Sequence, residues 1–302
     1  MAQIEITQAA FAGFGIFRRQ PLAPVVWMLL YVVAFALVFL LVGGAFISAI
    51  AAIMKAGPSA APQQVLGMLG AVIGGYFLLL LVGWVVGAMV NMAVIRAVLE
   101  PENSAYAYLR LGSQELWLML VNLVIFVLYF VLLFACFMVV GILSLLAGSN
   151  AGARAVLSFV GTIAIYGVMI WLWLRLSMAP AMVFADKRFR LFESWSMTRG
   201  HAGALFVVGV LVFVVAFALE IVLMVIGFAV GAGFFAQVTQ LLSSPDVATM
   251  APAAILAAFG PILLVFGVLY AIAVMVMVPI MFAPWPHAYR QLKGADVAAT
   301  FS

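Results

Sequence analysis

The sequence predicts an all-helical, polytopic membrane protein with six transmembrane helices, and three observations predict it. Its residues are 69% hydrophobic and 7% charged, against roughly a quarter charged in soluble domains. Apolar runs recur along the chain, each long enough for a hydrocarbon core about 30 Å thick. Lysine and arginine fall almost wholly in alternate connections, as a chain threaded back and forth through lipid requires. The mean hydropathy of +1.34 agrees with all three.

Residues 1–20 carry Phe11, Phe14 and Phe17 on nearly one helical face and end in Arg18-Arg19, the pattern of a short helix lying in the inner interface. Span one covers about 25–53 and follows a segment holding Glu5, so it reads as a retained anchor rather than a removed leader. Gly43-Gly44 is expected to end or bend it, with residues 45–55 running along the far side. Pro58 and Pro62 turn the chain into span two, about 65–98. Its paired glycines Gly70, Gly74, Gly83 and Gly87 let helix backbones approach closely. Arg96, Glu100, Glu102 and Arg110 form a polar elbow around Pro101, and span three follows over about 116–146. A turn at residues 148–152 leads into span four, about 155–183.

A second and more elaborate elbow follows, holding Asp186, Lys187, Arg188, Arg190, Glu193, Arg199 and His201. Span five covers about 204–230 and weakens at Gly227, Gly231 and Gly233, with a far-side amphipathic piece holding Gln237 and Gln240 behind it. Ser243-Ser244-Pro245-Asp246 turns the chain into span six, about 253–282, which Pro284 and Pro286 stop. Arg19, Arg110 and Arg199 each close a semi-polar segment beside an odd-numbered span, 91 and 89 residues apart. That spacing predicts a threefold tandem repeat, each unit an interfacial segment followed by a helical hairpin, within a single membrane domain over residues 1–302.

Of the 13 basic residues, eleven fall on one side of this threading and only Lys55 and Arg154 on the other. The bias predicts a multi-pass protein of the bacterial inner membrane with both termini cytoplasmic. It also accounts for the net charge of +4 without nucleic acid, because a basic side chain at that surface gains about 1 kcal/mol from anionic lipid. The lone cysteine, Cys136, lies in an apolar run and has no disulfide partner.

Little in the chain carries chemistry. There is no zinc-protease, nucleophile-elbow or phosphate-loop motif, and the two histidines, His201 and His287, are far apart. The expectation is a non-enzymatic protein without metal or cofactor. Two charges stand inside spans: Arg175, roughly 16 Å from the cytoplasmic face, and Glu220, roughly 24 Å from it. An arginine at a helix centre costs about 2.5–3.5 kcal/mol on insertion scales, so each invites a functional reading. Arg175 clamps an anionic lipid phosphate, pairs with Glu220, or bonds to the carbonyls of a helix broken near Pro180. Glu220 binds a proton or substrate, or bonds to a neighbouring helix. Trp171, Trp173 and Trp195 read as interfacial anchors.

The run Arg175-Leu-Ser-Met-Ala-Pro180, followed by Glu193-Ser-Trp-Ser-Met-Thr-Arg-Gly-His201 leading into a span, resembles the membrane domain fused to some bacterial glycerophosphodiester phosphodiesterases, and its stand-alone inner-membrane relatives. The family's catalytic activity belongs to a separate barrel opening on a His-Arg-Gly motif, which this sequence lacks. The resemblance therefore implies a membrane platform rather than a phosphodiesterase. The leading functional expectation is a module that binds membrane lipid, anionic by charge, or a partner protein at the cytoplasmic face. Its site is Arg175, Arg188, Arg190, Glu193, Trp195 and Arg199. The alternative is a small-molecule or lipid transporter with Arg175 and Glu220 lining the path.

Overall fold

The computed structural model describes residues 4–56, 62–243 and 252–300. The expected turns at Pro58 and at Ser244–Asp246 lie outside them. Among the described residues the chain is helical with no strand. Six stretches of helix are long and apolar enough to cross a membrane, and the chain is a multi-pass integral membrane protein.

In chain order the helices are α1 (Ile6–Ala10), α2 (Ala12–Arg19), α3 (Leu22–Ala56), α4 (Pro62–Leu99), α5 (Ser113–Leu146), α6 (Ala151–Leu176), α7 (Ala179–Asp186), α8 (Glu193–Met197), α9 (Ala202–Ser243), α10 (Pro252–Phe282) and α11 (Pro284–Thr300). The long helices pack as a closed ring: α3 on α4, α4 on α5, α5 on α6, α6 on α9, α9 on α10, and α10 back on α3. The short helices gather at one end of this ring. There α1 meets α9 and α11, α2 meets α3 and α10, α7 meets α4, α5 and α11, and α8 meets α6. Most buried side chains sit at the same end, in clusters around Trp27, Met92, Leu176 and Leu205. The opposite halves of the spans present exposed leucine, valine and phenylalanine, the surface that lipid covers.

Neither the glycine pair of span one nor the glycines of span five end their helices. Helix α3 runs through Gly43-Gly44 to Ala56, about 53 Å at 1.5 Å per residue. Helix α9 runs through Gly227, Gly231 and Gly233 to Ser243, about 63 Å. A glycine costs about 1 kcal/mol in a helix exposed to water, whereas an unpaired backbone group in hydrocarbon costs several. In lipid the ladder of hydrogen bonds therefore continues through glycine.

The expected break near Pro180 is present. Helix α6 ends at Leu176, and α7 starts with Pro180 at its first turn. The first interfacial helix is also divided, at Phe11, into α1 and α2. Phe11 and Phe14 remain exposed, while Gly13 and Ile16 face the protein. A Cβ on Gly13 would stand 2.5 Å from the carbonyl oxygen of Pro279, so only glycine lets α2 lie this close to α10.

The first polar elbow is more than a turn. Arg96 is only 2% exposed and ion-pairs with Glu115, 1% exposed, in the first turn of α5. Arg96 also donates to the Tyr108 carbonyl (2.9 Å) and to Gln114 (3.2 Å), and Gln114 donates to the Phe184 carbonyl of α7 (3.0 Å). Arg96 is thus a buried structural residue, and the expectation that it sits at the lipid surface is corrected. Tyr106, Ala107 and Tyr108 all have positive φ (54°, 54° and 65°). Such strain costs of order 1–3 kcal/mol per residue and persists only when the surroundings over-determine it. Here the bond from Trp27 Nε1 to the Ala107 carbonyl (2.8 Å) and that from Tyr108 Oη to the Pro101 carbonyl (2.9 Å) hold the loop.

Candidate functional site

The second elbow is built around the gap between α6 and α7. A helix broken inside an apolar bundle leaves carbonyl and N–H groups without partners, at a cost of a few kcal/mol each if they stay unpaired. Ser194, fully buried on α8, meets that demand. Its hydroxyl donates to the Arg175 carbonyl (2.7 Å) and accepts from the Met178 N–H (3.2 Å). Ser177 Oγ donates to the Leu174 carbonyl (2.8 Å). The break is therefore capped by serines, and the Arg175 side chain takes no part in capping it.

That side chain instead lies against two indoles. The guanidinium carbon is 6.0 Å from the centroid of Trp171 and 5.8 Å from that of Trp195. The two rings meet edge to face at 4.8 Å. Nε and Nη1 of Arg175 are enclosed and have no hydrogen-bond acceptor among the described residues, whereas Nη2 is not among the enclosed, unpaired atoms. A cation–π contact offsets about 0.5–2 kcal/mol of the desolvation, less than a buried charge without an acceptor costs. Trp171 is 46% exposed on the outer surface, so the guanidinium lies close to whatever solvates that surface. The position in the last turn of α6, where a helix presents its negative end, favours a cation as well.

The other expected residues distribute more loosely. Trp195 joins Arg175. Arg190 pairs with Asp186 at 3.3 Å across one turn, a partly exposed bridge worth about 0–1 kcal/mol. Lys187, Arg188, Glu193 and Arg199 are exposed and form a charged apron around the elbow. Glu220 stands apart. It is exposed on α9 and lines a lateral cavity of about 350 Å³ with Gly227, Phe266, Tyr270 and Ala273, while Arg175 lines none of that cavity. No ion pair joins Arg175 to Glu220 among the described residues.

Sequence reasoning passed over two kinds of residue. Glu115 was hidden by its place at the edge of an apolar run, where a carboxylate reads as surface. Asn91 and Asn122 carry no charge and drew no attention, yet both line a cavity inside the ring. All three are strongly polar side chains set within, or at the edge of, an apolar run, which is the signal the sequence carries for them. A further basic cavity, about 270 Å³, lies between α2, α4 and α11 with Arg19, His287 and Arg290 on its wall. Among the described residues no three histidine, cysteine or acidic side chains come together as metal ligands would.

No protein-family model, no curated protein and no solved structure matches the chain.

Proposed function

We propose that the protein is a non-enzymatic module of the bacterial inner membrane that binds anionic phospholipid at its basic cytoplasmic elbow. One observation carries this reading: the Arg175 guanidinium is walled by Trp171 and Trp195 and lacks any acceptor for Nε and Nη1. A phosphate diester seated against Nη2, the nitrogen that is not enclosed, supplies the guanidinium with a counter-charge through a single charge-assisted hydrogen bond. Arg188, Arg199 and Lys187 then contribute longer-range attraction, each about 1 kcal/mol at an anionic leaflet. On this reading the likeness to the phosphodiesterase-associated membrane domain lies in a lipid-facing platform, with Ser194 and Trp195 of the shared run setting the position of the arginine. A protein partner at the exposed apron is a subsidiary role of the same surface. The transport alternative finds less support, because Glu220 lines a cavity that Arg175 does not reach.

Native mass spectrometry of the protein extracted with its lipids tests this. The wild type retains phosphatidylglycerol or cardiolipin in preference to phosphatidylethanolamine. Arg175→Ala lowers that retention about tenfold, a loss of about 1.4 kcal/mol, and Arg175→Lys restores only part of it. Glu220→Gln leaves it unchanged. Equal retention in a folded Arg175→Ala protein would refute the site.

A further inference from the structure

Inside the ring, at the end where the short helices gather, lies a half-open cavity of about 190 Å³. Its wall comes from α4, α5, the α6–α7 break and the α10–α11 break. No charged residue lines it. Its polar groups are the Asn91 and Asn122 carboxamides, the Ser177 hydroxyl and the Tyr129 hydroxyl, with the indoles of Trp173 and Trp285 beside them.

The two asparagines are the point of interest. Asn91 lies about 12 Å before the end of α4, and Asn122 about 14 Å into α5, so they sit at similar depth. Neither carboxamide has a hydrogen-bond partner within the described chain. Tyr129 differs, since its hydroxyl donates to the Met169 carbonyl (3.1 Å). Both side chains are half-buried, so their carboxamides are open to the cavity rather than sealed in an apolar interior, and polar residues within spans mark ligand paths.

The surroundings reinforce this. Helices broken within the membrane supply binding groups in transporters, and the α6–α7 and α10–α11 breaks both border the cavity. Ser177 and Pro180 come from one, Trp285 and Pro286 from the other.

We infer that this cavity is a second binding site, distinct from the Arg175 elbow, and that it takes an uncharged polyol: the hydroxyl-bearing headgroup of a glycerolipid or glycolipid, or the same group as free glycerol. The absence of charge on the wall removes any advantage for a phosphate or an ammonium. Two carboxamides, each both donor and acceptor, together with a serine oxygen suit hydroxyls, which also both donate and accept. The indoles supply an apolar wall for the carbon side of a polyol. At about 190 Å³ the space is large enough to admit a glycerol unit.

The test uses the full chain in phosphatidylcholine nanodiscs, with a diacylglycerol bearing a photoreactive diazirine on its acyl chain near the glycerol, and with radiolabelled glycerol in a parallel equilibrium assay. The expected result is saturable labelling that maps to α4, α5 and the α6–α7 break. Unlabelled diacylglycerol competes, and diacylglycerol with its hydroxyl acetylated does not. Asn91→Leu and Asn122→Leu each weaken it about tenfold, whereas Arg175→Ala leaves it within twofold, which separates this site from the phospholipid elbow. If only glycerol binds saturably, and the asparagine variants abolish it, the ligand is the free polyol. Competition by the acetylated lipid equal to that of the parent, or no saturable binding of either probe, overturns the inference. Competition on the wild type decides the matter even if a leucine variant fails to fold.

Discussion

Removing one member of the Arg96–Glu115 pair leaves the other as a buried charge without a partner. Arg96 would keep the Tyr108 and Gln114 contacts, and its position over the Phe184 ring at 5.7 Å, but no counter-ion. Breaking such a pair from one side typically costs about 3–5 kcal/mol, while replacing both members by apolar residues is often close to neutral. Glu115→Leu or Arg96→Met alone is therefore expected to lower the thermal unfolding midpoint sharply in detergent. The double variant recovers much of the loss in a double-mutant cycle. Additive single effects would show that the two side chains do not depend on each other. Glu115 Oε2, buried without a partner, marks the place where the node is least satisfied.

At the scale of elements, the seat of α8 on the α6–α7 break is the join that sets the elbow, and one hydroxyl makes it. Ser194→Ala strands the Met178 N–H and removes a donor from the Arg175 carbonyl, both in a dry setting. Leaving such groups unpaired costs about 1–3 kcal/mol. The variant is expected to unfold at lower temperature and to retain less anionic lipid, because Trp195 rides on the same helical turn. Loss of stability with lipid retention intact would separate the cap from the site. This division also shows what could be read in advance. The number of spans and the break near Pro180 follow from run length and from proline, which act locally, whereas the end of span five, expected at 230 and found at Ser243, does not. Whether α3 and α9 continue through their glycines depends on the solvent around them. The roles of Ser194, Glu115 and Asn91 depend on partners tens of residues away. Local pattern holds no record of such partners, so Arg175 and Trp195 were legible as special while the serine that positions them was not.

For the molecule as a whole, two independent facts bear on the threading. The Glu5 N–H donates to Gln291 Oε1 at 3.0 Å, and α1 packs on α11, so the first and last described segments lie at the same end of the ring. Only an even number of crossings allows that. The same end carries eleven of the 13 basic residues. Arg96 is engaged inside and Arg175 is walled by indoles, and the remaining nine still outnumber Lys55 and Arg154 heavily. Since charge retention acts through basic residues near span ends, this end is expected to face the cytoplasm. In a Cys136→Ala background, a cysteine at the exposed position Arg154 should react with a membrane-impermeant maleimide in intact spheroplasts. One at the exposed position Lys293 should react only after permeabilisation. The opposite pattern would place the elbow outside, away from the cytoplasmic leaflet whose anionic lipid we propose it binds, and would remove the electrostatic reason for its basic apron. Labelling of both positions in intact spheroplasts would contradict the shared end of α1 and α11 itself.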